Sequence, residues 1–233
     1  MTKINSTVLI TGANRGLGLE FTKQYSAEGW QVIACCREPK NAYALNTLAK
    51  TEGNNIIVHA LDVADFYQID ALALQLKDQK IDVLLNNAGI FPESGGVGLN
   101  YDKWAQAFKV NTMAPYKMVE AFFNNVVASE LKKIAILSSK MGSMSDNTSG
   151  GSFIYRTSKA AANMMMKSLS IDLKPQGIAC VMLHPGWVKT DMGGANALIS
   201  TQQSVDGLRQ VIADLTLNNC GRFIGYDGKE IAW

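Results

Sequence analysis

The chain has 233 residues, 47% hydrophobic and 18% charged, which is enough to bury a large core without disulfide or metal staples. Its formal net charge is +2, and the 22 Lys and Arg are scattered, which argues against an electrostatic footprint for nucleic acid. No segment approaches the ~20 apolar residues that span a bilayer, and no long apolar stretch precedes the first glycine turn, so the expected location is cytoplasmic.

Short β-branched apolar runs alternate with amphipathic stretches. Strands are predicted at 7–10, 31–35, 55–61, 81–86, 133–138 and 178–184, and helices at 16–28, 40–52, 65–78, 102–129, 152–173 and 203–217. In the first helix Leu17, Phe21 and Tyr25 recur every fourth residue and form one apolar stripe. The strand runs are nearly continuous in hydrophobicity, as expected for strands covered on both faces. The alternation predicts one α/β domain over residues 1–233. Its core would be a doubly wound parallel sheet of about seven strands with helices on both faces. Ligands bind outside the carboxyl ends of such strands, so the residues after each strand are the candidates.

After the first strand comes "TGANRGLG" (11–18), with Gly12, Gly16 and Gly18 opening a helix. Glycines permit a tight turn and a close approach of backbone to phosphate, and the helix start offers free N–H groups. The spacing is G-x-x-x-G-x-G rather than the common G-x-G-x-x-G. The second strand ends in "ACCREP", with Arg37 where an NAD site generally carries an acid. With Arg15 in the glycine loop, this predicts NADP(H) over NAD(H); the alternative is that both arginines are solvated surface residues. Asp62 in "LDV" and Asn86 and Asn87 in "NNAG" follow the third and fourth strands; a turn or cap role would account for each alone, and their joint placement at successive strand ends shifts the balance towards a site.

"YRTSK" (155–159) places Tyr155 and Lys159 one helical turn apart on one face. A free phenol, with pKa about 10, exchanges protons poorly at neutral pH, and a neighbouring ammonium favours its anion. The pair is a proton device or a solvated surface pair.

"TGANRGLG", "LDV", "NNAG", Asn111, Ser139, "YRTSK" and "HPGWVKTDM" (184–192), in that order, resemble the short-chain dehydrogenase/reductase family over essentially the whole chain. The ending "GRFIGYDGKEIAW" is similar to its sniffer and C-factor-like carbonyl reductase branch. The resemblance implies a Rossmann-type sheet and the catalytic tetrad Asn111, Ser139, Tyr155 and Lys159. It implies that Gly12, Gly16, Leu17 and Gly18 pass the pyrophosphate, with Asn14 and Arg15 near the adenosine phosphate. Asp62 would bond the adenine, beside the Val63 backbone, and Asn87, Ala88 and Gly89 would line the adenosine ribose and support the sheet. Pro185, Gly186, Val188 and Thr190 would border the nicotinamide, and Lys159 would grip its ribose beside Tyr155. Asn111 would hold a water linking Lys159 to solvent.

The activity so implied is NADPH-dependent reduction of an aldehyde, ketone or quinone, with Tyr155 as proton donor, in a homodimer or homotetramer. Two alternatives stand beside it: oxidation of a secondary alcohol, and a cofactor-binding signalling protein of C-factor type without turnover. The intact tetrad argues against the second of these. Ser139 is preferred to Ser138 because the family's serine precedes a two-residue spacer and Gly, as in "SKMG"; Ser138 would then pack inward.

The Ser139–Tyr155 interval is longer than in much of the family, so "SMSDNTSGG" is expected to bulge over the substrate site. The short "DMGGANALISTQQ" suggests an open pocket, shaped by loops 91–100, 140–152 and 189–203. Cys35, Cys36, Cys180 and Cys220 read as buried small hydrophobes and His59 and His184 as structural. "NMMMKSL" (163–169) reads as core or subunit contact, and Trp187 as a candidate pocket residue.

Overall fold

Residues 6–92 and 98–233 are described by the structure, a computed structural model. Of the 91–100 loop, residues 93–97 lie outside the described residues, as do 1–5 ahead of the first strand. The strands are β1 (Thr7–Thr11), β2 (Gln31–Cys36), β3 (Asn55–Ala60), β4 (Val83–Asn86), β5 (Lys133–Leu137), β6 (Ala179–His184) and β7 (Arg222–Gly225). They form one sheet in the order β3-β2-β1-β4-β5-β6-β7, with every neighbouring pair parallel. The chain winds outward from β1 to β3, then restarts on the other side of β1 at β4. The crevice between the carboxyl ends of β1 and β4 is therefore the topological switch point.

The helices are α1 (Gly16–Ala27), α2 (Tyr43–Lys50), α3 (Phe66–Gln75), α4 (Tyr101–Phe108), α5 (Ala114–Val127), α6 (Phe153–Asp172) and α7 (Thr201–Ala213). Strand alternation sorts the core into two layers. Leu9, Leu84 and Ile136 face one side, where Ile69 of α3, Phe122 of α5 and Met166 of α6 cover them. Val8, Leu85 and Leu183 face the other, under Phe21 of α1, Leu45 of α2 and Leu208 of α7. Two buried charges lie at the amino ends of the central strands. Asp82 accepts the Thr7 N–H at 2.9 Å and the Glu130 and Leu131 N–H groups at 3.2 Å. The Lys133 ammonium donates to the Ile212 and Ala213 carbonyls at the end of α7, at 2.8 and 2.7 Å, where a cation also meets the negative end of the helix dipole.

Four expectations change. The helix expected over 102–129 is interrupted by a π turn, Lys109–Met113, with Asn111 in it. The stretch 40–52 begins as a 3-10 turn at Pro39–Asn41, and α2 is only the eight residues that follow. β3 is not covered on both faces: it is the edge strand, and Ile57 is exposed. The seventh strand, β7, comes from the "GRFIG" stretch that the apolar runs did not single out. The methionine run divides, Met166 in the core and Met164 exposed. Cys35, Cys36 and Cys180 are buried, Cys220 partly so.

Candidate active site

The glycine loop is built for something that needs backbone rather than side chains. Gly12 and Gly16 have φ of 67° and 53°, in the left-handed region. Gly18 serves packing: a Cβ there would overlap the Gly12 carbonyl oxygen and come 2.7 Å from the Asn87 amide nitrogen. Asn87 staples the two strand ends at the switch point, donating to the Thr11 and Gly12 carbonyls at 2.8 and 3.1 Å. The Thr11 hydroxyl accepts the Asn87 and Ala88 N–H groups at 3.1 and 3.0 Å. The result is a rigid cradle at the start of α1 that a side chain would fill, a shape that fits a dinucleotide pyrophosphate.

Around the cradle the expected residues fall at strand ends. Leu17 packs against the α1–α7 core layer. Asp62 holds its own turn, accepting the Ala64 N–H at 2.9 Å on one oxygen, and the Val63 side chain is in the core, which leaves its backbone for the crevice. Asn14, next to Arg15, is partly exposed. Pro185 is fixed by the Ser204 hydroxyl, which donates to its carbonyl at 2.6 Å. Gly186 lies so close to Ile199 and Tyr226 that a Cβ would meet them at 2.7 and 2.9 Å. Val188 is buried and bridges to Ile199, and Thr190 accepts the Gly193 N–H at 3.1 Å. The segment after β6 is thus folded back on itself, with the exposed Trp187 donating to the Gly193 carbonyl at 2.7 Å.

The two arginines have different surroundings. Arg37 is exposed at the end of β2 with no ion pair among the described residues. Arg15 instead reaches across to Asp191, 2.9 Å away, with both side chains largely in solvent. The sequence could not show this contact, which joins positions 176 residues apart.

Tyr155 and Lys159 lie on the inner face of α6 and are both buried. The Lys159 ammonium donates to the Leu137 carbonyl at 2.8 Å and sits 5.7 Å from the Tyr155 ring centroid. Burial lowers its pKa to about 8. Burial also pushes the Tyr155 phenol up to about 12, and a hydrogen bond with the Ser139 hydroxyl draws it partly back. Desolvation outweighs the Ser139 hydrogen bond, and the phenol holds its proton at neutral pH, the state a proton donor requires.

Ser139 and Ser138 face different ways. Ser139 meets Tyr155 and accepts the Met141 N–H at 3.2 Å, while Ser138 turns inward to Asn163 at 2.5 Å.

The Asn111 side chain is held by protein groups. Its amide donates to the Ile90 carbonyl and the Ser158 hydroxyl, at 2.9 and 3.0 Å, and its oxygen accepts the Ile90 N–H at 2.9 Å. Both amide hydrogens are spent on protein. Asn111 fixes the chain after Gly89, whose Cβ position lies 3.3 Å from the Asn111 oxygen and 3.5 Å from the Lys159 nitrogen.

Sequence reasoning passed over Thr11, Ser158 and Phe91. Thr11 and Ser158 stand inside quoted motifs, so their hydroxyls were visible but their partners were not. The Phe91 ring packs on Tyr155 with centroids 4.5 Å apart, and nothing in the spacing signals it. Among the described residues no cluster of three or more His, Cys, Asp or Glu is placed to hold a metal, and no helix is long and apolar enough to cross a membrane.

A family model described as short chain dehydrogenase matches residues 6–198. C-signal of Myxococcus xanthus is 40% identical over 164 residues, covering 70% of this chain and 99% of its own. Among solved structures, the NADPH-bound carbonyl reductase from chicken fatty liver aligns with a TM-score of 0.91 at 34% identity, over 99% of each chain. The carbonyl reductase Sniffer of D. melanogaster aligns with a TM-score of 0.90 at 36% identity, over 98% of this chain and 99% of that one. The matched span runs from the first strand through the tyrosine–lysine helix to the segment after β6, and the chain belongs to the short chain dehydrogenase family.

Proposed function

We propose that the protein is an NADPH-dependent carbonyl reductase that converts an aldehyde, ketone or quinone to an alcohol. The observation that carries this reading is the meeting of Ser139, Tyr155 and Lys159 at the carboxyl end of the sheet, in a fold whose glycine loop suits a dinucleotide. The resemblance to NADPH-bound and Sniffer carbonyl reductases supports it.

Bound nicotinamide supplies the hydride. Gly12, Gly16 and Gly18 with the start of α1 hold the pyrophosphate, with Asn14 and Leu17 beside it. Asp62 and Val63 hold the adenine, Asn87, Ala88 and Gly89 the adenosine ribose, and Pro185, Gly186, Val188 and Thr190 the nicotinamide end. The Ser139 hydroxyl, whose oxygen accepts the Met141 N–H, would turn its hydrogen from Tyr155 to the substrate oxygen and polarise it. Tyr155 gives that oxygen its proton, and the buried Lys159 ammonium steadies the phenolate left behind, in a setting where water screens little. Asn111 acts as a positioning residue for this group, its side chain holding the Ile90 backbone and the Ser158 hydroxyl, and a water on it would link Lys159 to solvent. The exposed Met113, Tyr116 and Met164 offer apolar surface for a second copy, in keeping with a cytoplasmic homodimer or homotetramer.

A panel of quinones, diketones and aldehydes with NADPH tests the reading. Tyr155→Phe is expected to lose about 10²–10⁴-fold in kcat, the usual worth of general acid catalysis, with NADPH affinity retained. Wild-type turnover in that variant rejects Tyr155 as donor. NADPH binding without turnover of any panel member rejects the reductase in favour of a signalling role.

A further inference from the structure

Arg156, the second residue of "YRTSK", has no part in the chemistry above. Its guanidinium makes three bonds, all to the segment joining Ser139 to Tyr155: Nε to the Gly150 carbonyl at 3.1 Å, Nη1 to the Met141 carbonyl at 3.3 Å and Nη2 to the Ser149 hydroxyl at 2.8 Å. Met141 is the residue whose N–H holds the Ser139 oxygen, so Arg156 and the candidate catalytic serine are tied to the same residue, one through its carbonyl and the other through its N–H. The next residue, Gly142, lies flat on α6, where a Cβ would come 2.9 Å from the Lys159 Cβ.

The middle of the segment, between those bonds, is held by a different part of the molecule. Ser145 donates both its N–H and its hydroxyl to the Trp233 carbonyl, at 2.8 and 2.5 Å. The Trp233 ring stacks on Phe223 of β7 with centroids 6.0 Å apart, and the Ile231 N–H bonds the Phe223 carbonyl at 2.8 Å. A Lys140–Asp146 ion pair at 3.0 Å ties the segment across itself. Left alone, a stretch as rich in Gly, Ser and Asn as 143–152 would sample many conformations.

We propose that Arg156 and the Trp233 tail form a two-point clamp that fixes residues 140–152 as a wall of the carbonyl-substrate site, which makes Arg156 a positioning residue for substrate selection. This rests on the carbonyl-reductase reading. A clamped wall benefits substrates wide enough to touch it, while a small aldehyde that reaches only Ser139 and Tyr155 gains little.

The test compares Arg156→Ala and the surface variant Ser149→Ala with wild type, each confirmed folded by circular dichroism. Hydrogen exchange over 140–152 is read alongside KM for a bulky diketone and for a small aldehyde. Arg156→Ala is expected to speed exchange in that segment and raise KM for the diketone about tenfold, the worth of one charged hydrogen bond, with the aldehyde KM and the NADPH Kd within about twofold. Ser149→Ala should shift both readouts the same way, by less. Unchanged exchange in Arg156→Ala overturns the clamp, and faster exchange with an unchanged diketone-to-aldehyde KM ratio overturns its role in selection. Absence of any turnover in the wild type would instead reject the reductase reading, and the exchange measurement would still decide the clamp.

Discussion

Lys159 is a buried ammonium whose hydrogen bond goes to one backbone carbonyl, Leu137. Its pKa falls to about 8 from 10.5 because burial disfavours the charged form. Since the folded value is the lower, the unfolded chain binds more protons between those limits. Stability therefore rises with pH through that window, and the full cost stands below it. The cost is about 3 kcal/mol by the pKa difference. Lys159→Met is accordingly expected to unfold at higher urea than wild type at pH 7, by about 1–3 kcal/mol after the lost hydrogen bond, with the gap narrowing as pH rises to about 10. A gap constant with pH would mean that the lysine is not desolvated as the structure shows. Turnover should be lost in the same variant, so stability would be gained where the chemistry is given up. The Tyr155–Lys159 pair was legible from spacing because helical geometry alone puts those positions on one face. Arg15 was not, since its partner Asp191 is brought to it only by the fold.

At the element scale, the seating of α1 against the end of β1 gives one glycine a second task. In the sequence, Gly18 belongs to a phosphate loop; in the fold it lets the helix backbone touch the Gly12 carbonyl, and its own carbonyl accepts the Thr22 hydroxyl at 2.9 Å. The two accounts predict opposite signs for Gly18→Ala. In an open helix the change would stabilise by about 1 kcal/mol through propensity. Against the Gly12 carbonyl it should cost about 1–3 kcal/mol or more by overpacking, and tilt α1 so that NADPH binds more weakly. Thermal melts with and without NADPH distinguish them, and a raised Tm would refute the packing account. The π turn at Lys109–Met113 was beyond pattern reasoning for a related reason. Its neighbours over 102–129 carry ordinary helical periodicity, and the contacts that accompany the turn are tertiary, Asn111 to Ile90 and the Thr112 hydroxyl to the Ser158 carbonyl at 2.8 Å. β7 escaped notice because only four residues pair, at the edge of the sheet, where a long apolar run is not needed.

Across the whole molecule, the alternation of strand and helix fixed the parallel sheet, and the order of motifs located the crevice, because in a doubly wound sheet every strand delivers its last residues to the same side. Which cation meets which anion there is a matter of global geometry. Arg15 is engaged with Asp191; that pair is exposed and worth under about 1 kcal/mol, so it restrains Arg15 without sequestering it. Arg37, at the tip of β2 and free of ion pairs among the described residues, is then the cation available to a ribose 2′-phosphate. Arg37→Glu removes that charge and places a carboxylate where a 2′-hydroxyl would be the better partner. NADPH affinity should fall by tenfold or more, the loss of a charged hydrogen bond of about 1.5–3 kcal/mol, while NADH affinity is kept or improves. Titration of both nucleotides against the variant and wild type measures the ratio directly. An unchanged ratio would mean that the 2′ position is read elsewhere, with Arg15 leaving Asp191 as the next residue to replace.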